Sequence, residues 1–315
     1  MEYRGIGKSG LRVSTVGLGC NNFGMRLDLE GSRTVIDAAI EAGITLFDTA
    51  DVYGGAGTSE TMMGQILGSR RKDIVLATKF GMQMDKEGVK KGASRRYIMN
   101  AVEDSLRRLQ TDWIDLYQLH APDPETPMDE TLRALDDLVT QGKVRYVGCS
   151  NVPAWGVADA AWIAKTRDFN GFISAQDEYS LIVRKAEAEL KPMAEHFGMG
   201  ILPYFPLASG MLTGKFKKGQ PLTEGTRLAA AKDSGYFDHF LTEKAFDTVA
   251  KLTDFAQSRG HTILELAFSW LLAQPIVPSV IAGATKVEQV TANVAAGDWK
   301  LTAEELAEID KISPR

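Results

Sequence analysis

At 315 residues the chain has room for two average domains or for one closed α/β barrel, which takes about 250 residues or more. Its 44% hydrophobic content suits a globular protein with a sizeable core, and no stretch reaches the roughly 18 consecutive apolar residues of a membrane helix. A formal net charge of -5 argues against nucleic acid as the main partner.

The opening Met1-Glu-Tyr-Arg carries no apolar secretory segment, and the two cysteines, Cys20 and Cys149, make no disulfide framework. Both are expected as reduced thiols in a cytoplasm, packed near strand ends. Residues 1–13 alternate apolar and polar around Gly7-Lys-Ser-Gly10, the pattern of a β-hairpin with a Gly-rich turn. Gly5-Ile-Gly7-Lys-Ser-Gly10 also fits G-x-G-x-x-G. A dinucleotide fingerprint must follow a full strand and open a helix, so a hairpin capping the bottom of a barrel is the better reading.

A strand-helix repeat then begins. Its first unit is a strand over 16–20 and a helix over 32–42 stopped by Gly43; its second is a strand over 45–48 and a helix over 59–67 ended at Gly68. The third is 74–79 and, after a polar loop, a helix over 94–109 with Ala101, Leu106 and Leu109 on one side. The fourth is 114–120, a Pro-rich loop and a helix over 128–140; the fifth is 144–150 and 153–166. Strands over 172–176, 200–204 and 280–283 complete the repeat, with a helix over 187–197 between the first two. Residues 205–279 exceed the repeat, with a polar loop near 215–238 and helices over 242–258 and 262–273. Thr302-Ala-Glu-Glu is a capping box opening a last helix to 312. Eight strands alternating with helices predict parallel pairing and closure into a (β/α)8 TIM barrel, with an N-terminal hairpin and extra helices near the C-terminus. With no linker or composition break, 1–315 reads as one domain.

Chemistry-bearing residues fall at strand ends. Thr45-Leu-Phe-Asp48-Thr-Ala-Asp-Val-Tyr53-Gly-Gly runs from an apolar strand into a turn holding a carboxylate and a phenol. Ile74-Val-Leu-Ala-Thr-Lys79 ends on a lysine and Ile114-Asp-Leu-Tyr-Gln-Leu-His120 on a histidine. Singly these read as a helix cap, a solvated lysine, a packed tyrosine and a rim histidine. In this order, on consecutive βα units, they resemble the Asp/Tyr/Lys/His tetrad of the aldo-keto reductases, and the resemblance spans nearly the whole chain.

That resemblance implies reduction of an aldehyde or ketone by a nicotinamide, with no metal. Tyr53 would donate the proton as alkoxide character develops. A free phenol titrates near pH ~10, so the Lys79 ammonium should favour its phenolate and make it a better acid. Asp48 would hold Lys79, and His120 would orient the carbonyl oxygen by a hydrogen bond.

The resemblance also places the cofactor. Ser150, Asn151 and Gln176 match the groups that hydrogen-bond the nicotinamide carboxamide, and Tyr204 matches the aromatic stacked under the ring. Pro206, Leu207, Ser209, Gly210, Leu212 and Lys215 lie on the family's pyrophosphate loop, where backbone N–H groups face an anion. Gly210-Met-Leu-Thr-Gly-Lys215 is one residue short of a P-loop and is followed by Phe216, against an ATPase. Gly283, Thr285, Lys286, Gln289 and Asn293 would hold the adenosine end at a helix N-terminus, with Lys286 as the cation for a 2′-phosphate. Gln289 stands where the family has an arginine. NADPH (NADP+) is expected, with NADH second.

Two rivals stand beside a reductase. One is a regulatory subunit like the channel-associated members of the family, holding NADP(H) without useful turnover. The other is a glycosidase, disfavoured because Asp48 and Asp51 share a loop instead of flanking a cleft. The substrate would be a small aldehyde, ketone, sugar or alcohol in a pocket lined by Phe23, Met25, Pro122, Phe205 and Tyr236 or Phe237. A monomer is the default state.

Overall fold

Short strands that are apolar on both faces must be covered on both, which is what a barrel wall inside a ring of helices provides. The computed structural model describes residues 1–315, apart from the side chain of Lys232. β1 (Tyr3–Gly5) and β2 (Arg12–Ser14) pair antiparallel as the expected hairpin. The repeat follows as β3 (Val16–Gly19), α1 (Leu29–Glu41), β4 (Leu46–Asp48), α2 (Thr58–Leu67), β5 (Val75–Phe80) and α3 (Arg95–Leu109). It continues as β6 (Ile114–Leu119), α4 (Met128–Thr140), β7 (Val144–Ser150), α5 (Ala154–Arg167), β8 (Phe172–Glu178), α6 (Leu190–Phe197) and β9 (Gly200–Tyr204). The long connection carries a short α7 (Arg227–Ala230), then α8 (Glu243–Gln257) and α9 (Ile263–Leu272). β10 (Val280–Gly283), α10 (Val287–Ala295) and α11 (Ala303–Ile312) end the chain.

Among the described residues, β3 to β10 form one eight-stranded parallel sheet in the order β10-β3-β4-β5-β6-β7-β8-β9. The two edges meet where β9 packs beside β10, and the Ile201 N–H donates to the Ile276 carbonyl at 2.9 Å. This is the expected (β/α)8 barrel.

Alternation along the strands splits the core in two. One set of residues packs outward against the helices; a smaller set, Leu46, Ala77, Leu116, Leu202 and Ile281, fills the barrel together with Ile6 and Val13 of the hairpin. The hairpin therefore plugs the bottom. Its Gly-rich turn lies against the start of β9, with the Lys8 N–H donating to the Gly198 carbonyl at 2.7 Å. A Cβ on Gly7, which has φ +55°, would sit 2.3 Å from that carbonyl oxygen, so the glycine there serves close packing.

Two helix starts differ from the sequence reading. α1 begins at Leu29 because Asp28 caps it, accepting from the Gly31 N–H at 2.8 Å. α6 begins at Leu190 because Glu187 is drawn into a buried pair with Arg184 at 2.7 Å, leaving a separate turn over Lys185–Glu187. The Thr302/Glu305 capping box forms as read, and Thr262/Glu265 makes a second at α9.

Candidate active site

β4, β5 and β6 are adjacent, so the ends on which Asp48, Lys79 and His120 sit share one side of the mouth. The Lys79 ammonium is fully buried and its three donors meet three acceptors: Asp48 Oδ2 at 2.6 Å, the Thr49 carbonyl at 2.9 Å and the Tyr53 hydroxyl at 3.4 Å. Asp48 is satisfied at its other oxygen, where Oδ1 accepts from Gln118 Nε2 at 3.1 Å and Gln176 Nε2 at 3.0 Å. The loop to Tyr53 turns back through Gly54, φ +74°, where a Cβ would lie 2.6 Å from the Phe23 carbonyl oxygen. His120 follows β6, its N–H donating to the Phe80 carbonyl at 2.9 Å. Its ring meets Tyr53 edge-on, 5.8 Å between centroids.

The charges follow from that geometry. Burial opposes the Lys79 ammonium, but Asp48 and then Tyr53 outweigh it and hold Lys79 above its usual value. Burial also raises the Tyr53 phenol, against the pull of Lys79 and with a push from Asp48. Lys79 therefore acts in the direction expected from sequence, yet desolvation wins and the phenol stays protonated. Burial, then the Lys79 charge, drives His120 down to about 3, so above that pH its imidazole is neutral with one N–H to give.

Across the mouth, Tyr204 donates its hydroxyl to Asn151 Oδ1 at 2.9 Å, and Asn151 Nδ2 donates to the His120 carbonyl at 2.9 Å and Ser150 Oγ at 3.0 Å. Gln176 is buried and its amide N–H2 serves Asp48, a use the sequence reading did not foresee. After β9 the backbone takes positive φ at Phe205, Ala208, Ser209 and Gly210, around Pro206 and Leu207 and ahead of Leu212. The Ser209 hydroxyl is buried with no partner among the described residues. The turn closes partly on itself, the Ala208 N–H donating to the Phe205 carbonyl at 2.8 Å and the Gly210 and Leu212 N–H groups to the Leu207 carbonyl at 2.8 and 3.2 Å. Lys215 and Arg227 stand nearby: burial first, then repulsion from Arg26, holds both below their usual values. Arg227 donates to Asn21 Oδ1 at 3.1 Å and Asn22 Oδ1 at 3.2 Å. Cations crowding one another beside an unpartnered hydroxyl fit a phosphate-bearing group. Beyond β10, Gly283 and Lys286 are exposed, Asn293 is buried on α10, and Gln289 Oε1 accepts from the Thr285 N–H at 2.7 Å and hydroxyl at 3.2 Å.

The expected pocket is partly redrawn. Phe23 is fully buried in the outer core and lines nothing, because the turn after β3 folds it inward. Met25 and Pro122 are exposed. Phe205 packs edge-on against Phe237 at 5.6 Å and the exposed Tyr236 at 6.4 Å. Sequence reasoning missed Arg227 and Gln118. Gln118 had a signal, a polar residue alternating into the buried run of β6.

A buried ammonium held between a carboxylate and a phenol at the strand ends marks the mouth of this (β/α)8 barrel. The family model described as Aldo/keto reductase family matches residues 15–314, and the chain belongs to that family. Across 100% of its length it is 37% identical to an uncharacterized oxidoreductase, YrpG, of Bacillus subtilis (strain 168), covering 96% of that protein. It is 37% identical to a probable voltage-gated potassium channel subunit beta of Oryza sativa subsp. japonica, over 95% of this chain and 92% of that one. It is 34% identical to the L-glyceraldehyde 3-phosphate reductase of Escherichia coli (strain K12), over 99% and 92%. Among the described residues no helix is long and apolar enough to cross a membrane.

Proposed function

We propose that the protein is an NADPH-dependent reductase that interconverts small aldehydes or ketones with alcohols. The observation that carries this reading is the Lys79 ammonium, bonded to Asp48 at 2.6 Å and within 3.4 Å of the Tyr53 hydroxyl. Bound NADPH would supply a hydride to the carbonyl carbon. Tyr53 gives its proton to the carbonyl oxygen, and Lys79 takes up the phenolate charge that this leaves. Asp48 keeps the ammonium charged and in place, itself fixed by Gln118 and Gln176. Neutral His120 donates a hydrogen bond to the carbonyl oxygen as negative charge grows there. Tyr204 would stack under the nicotinamide, with Ser150 and Asn151 to bond its carboxamide. The loop from Pro206 to Lys215, joined by Arg227, would hold the pyrophosphate. Gly283, Thr285, Lys286, Gln289 and Asn293 would hold the adenosine end, with Lys286 for the 2′-phosphate. We read residues 1–315 as one domain, monomeric and cytoplasmic.

Steady-state reduction of a carbonyl panel with NADPH and NADH in parallel tests the proposal, and a phosphorylated aldehyde belongs in it because one relative is named for such a substrate. Turnover faster with NADPH is the expected result. A second reading, a nucleotide-holding channel subunit, is favoured by the relatives named for that role. Tight NADPH binding with no oxidation by any carbonyl would select it.

A further inference from the structure

α2 opens at Thr58 behind Gly57, and no side chain caps its first turn. Ser59 would read there as a capping serine, yet it uses its hydroxyl elsewhere. The residue is fully buried; its Oγ donates to the Cys20 carbonyl at 2.9 Å, just past β3, and lies 2.8 Å from the Thr49 hydroxyl. A serine has one hydroxyl proton and a carbonyl can only accept, so that proton goes to Cys20 and Thr49 is the donor to Ser59. Thr49 is equally buried, and its N–H donates to the Ala77 carbonyl at 2.9 Å. Its own carbonyl accepts from the Lys79 ammonium at 2.9 Å. The Ser59 N–H meanwhile donates to the Tyr53 carbonyl at 3.1 Å. One residue thus touches the backbone of Tyr53 and the side chain of the residue whose carbonyl receives Lys79. Its mount is firm on both sides. The next residue, Glu60, is fully buried, accepts from the Thr78 hydroxyl of β5 at 2.5 Å and pairs with Arg108 of α3 at 2.7 Å. A Cβ on Gly54 would lie 3.0 Å from the Ser59 nitrogen, so the loop from Tyr53 packs directly on this turn.

We propose that Ser59 is a positioning residue that sets the separation of Lys79 and Tyr53. The ammonium meets Asp48 at 2.6 Å, Thr49 at 2.9 Å and Tyr53 at 3.4 Å, so the contact to the phenol is the longest of the three and stands near the limit of a hydrogen bond. A small drift of the Thr49 carbonyl is enough to break it. With it would go the support for the phenolate that Tyr53 leaves when it gives up its proton. Ser59 gives and takes no proton in the reaction and touches no reacting atom; it acts through Thr49. The inference rests on the reductase reading for its effect on rate, whereas its geometry stands without that reading.

The test compares Ser59→Ala, Thr49→Val and their double variant with the wild type. Ser59→Ala removes the hydroxyl and keeps the N–H to Tyr53, while Thr49→Val removes the same hydrogen bond from its other end with little change of shape. In NADPH-dependent reduction of 4-nitrobenzaldehyde each single variant should lose about 10- to 100-fold in kcat, the cost of a small misplacement beside the reacting groups, with the Kd for NADPH held within about twofold. The double variant should be little slower than either single one, because both remove one interaction. The ratio of kcat in H2O to that in D2O should rise in Ser59→Ala, since proton donation from a poorly supported Tyr53 slows, a change that lost stability alone would not produce. Crystal structures supply a readout that needs no turnover: the Lys79 to Tyr53 contact of 3.4 Å should open past about 3.6 Å in Ser59→Ala. Full kcat in both single variants, losses that multiply in the double variant, an unchanged isotope effect or an unchanged contact each overturns the proposal. A wild type inert towards every carbonyl of the panel overturns the reductase reading instead, and the crystallographic contact then decides the positioning role by itself.

Discussion

The two sides of the barrel mouth are built on opposite plans. On the β4 to β6 side, the Lys79 and Asp48 charges already have partners within the chain, supplied by Thr49, Gln118, Gln176 and Tyr53. On the β9 to β10 side, among the described residues, a positive-φ turn carries an unpartnered Ser209 hydroxyl, and Lys215 and Arg227 have no carboxylate to neutralise them, Arg227 being bonded only to the neutral Asn21 and Asn22. On the proposed function, the first plan suits proton transfer, since it needs no rearrangement when charge develops, and the second suits reception of an anion. Damage on the first side should therefore cost rate, and damage on the second should cost affinity.

The sharpest break is Tyr53→Phe, which removes one hydroxyl and leaves the ring against His120. With the proton donor gone, kcat should fall by roughly 100-fold or more while the Kd for NADPH is nearly unchanged. Lys79→Met acts through the same proton, so the double variant should be little slower than Tyr53→Phe alone; multiplied losses in rapid-quench or steady-state assays would assign the two residues independent roles. Lys79→Met should also strand the buried Asp48 carboxylate, lowering stability by about 3–5 kcal/mol in denaturant titrations. A variant as stable as the wild type would mean that Asp48 is held by its glutamines without the ammonium.

On the other side, Arg227→Ala removes a half-buried cation that bonds to none of the tetrad and acts on it only through a minor charge effect on Tyr53. It should weaken NADPH binding by about 10- to 100-fold in fluorescence titration, the worth of a charge-assisted hydrogen bond of about 1.5–3 kcal/mol, with kcat at saturation little changed. A fall in kcat with unaltered affinity would place Arg227 on the substrate and erase the division between the two sides.

The two sides also differed in how far they could be read from sequence. Asp48, Lys79 and His120 were legible because the place of a strand's last residue follows from the strand itself, and a barrel makes neighbouring strands neighbours in space. The repeat of apolar runs and helix stops carried the fold for the same local reason. What escaped depends on contacts distant in sequence. Gln118 and Gln176 meet Asp48 from 70 and 128 residues away. Arg227 reaches Asn21 from 206 residues away, out of a polar stretch with no periodicity to place it. The early start of α1 was written in Asp28, a cap followed by Leu29 and Glu30, whereas the late start of α6 was not, since only the fold brings Arg184 and Glu187 into one buried pair.

The smallest expected effect tests the far end of the receptor side. Lys286 is exposed and stands at the N-cap position of α10 with no capping bond from its side chain, where backbone N–H groups and the helix dipole favour an anion. Gln289 has its amide oxygen turned back onto Thr285, so a 2′-phosphate bound there would draw its neutralising charge from Lys286. In water such a contact is worth roughly 0.3–1 kcal/mol, so Lys286→Ala should raise the Kd for NADPH by about two- to fivefold and leave that for NADH unchanged. The difference should shrink as salt is raised, because an exposed pair is screened where the buried tetrad is not. Equal losses for both nucleotides would move Lys286 off the 2′-phosphate, and preference for NADPH would then have to come from Gln289 or Asn293 by neutral hydrogen bonds.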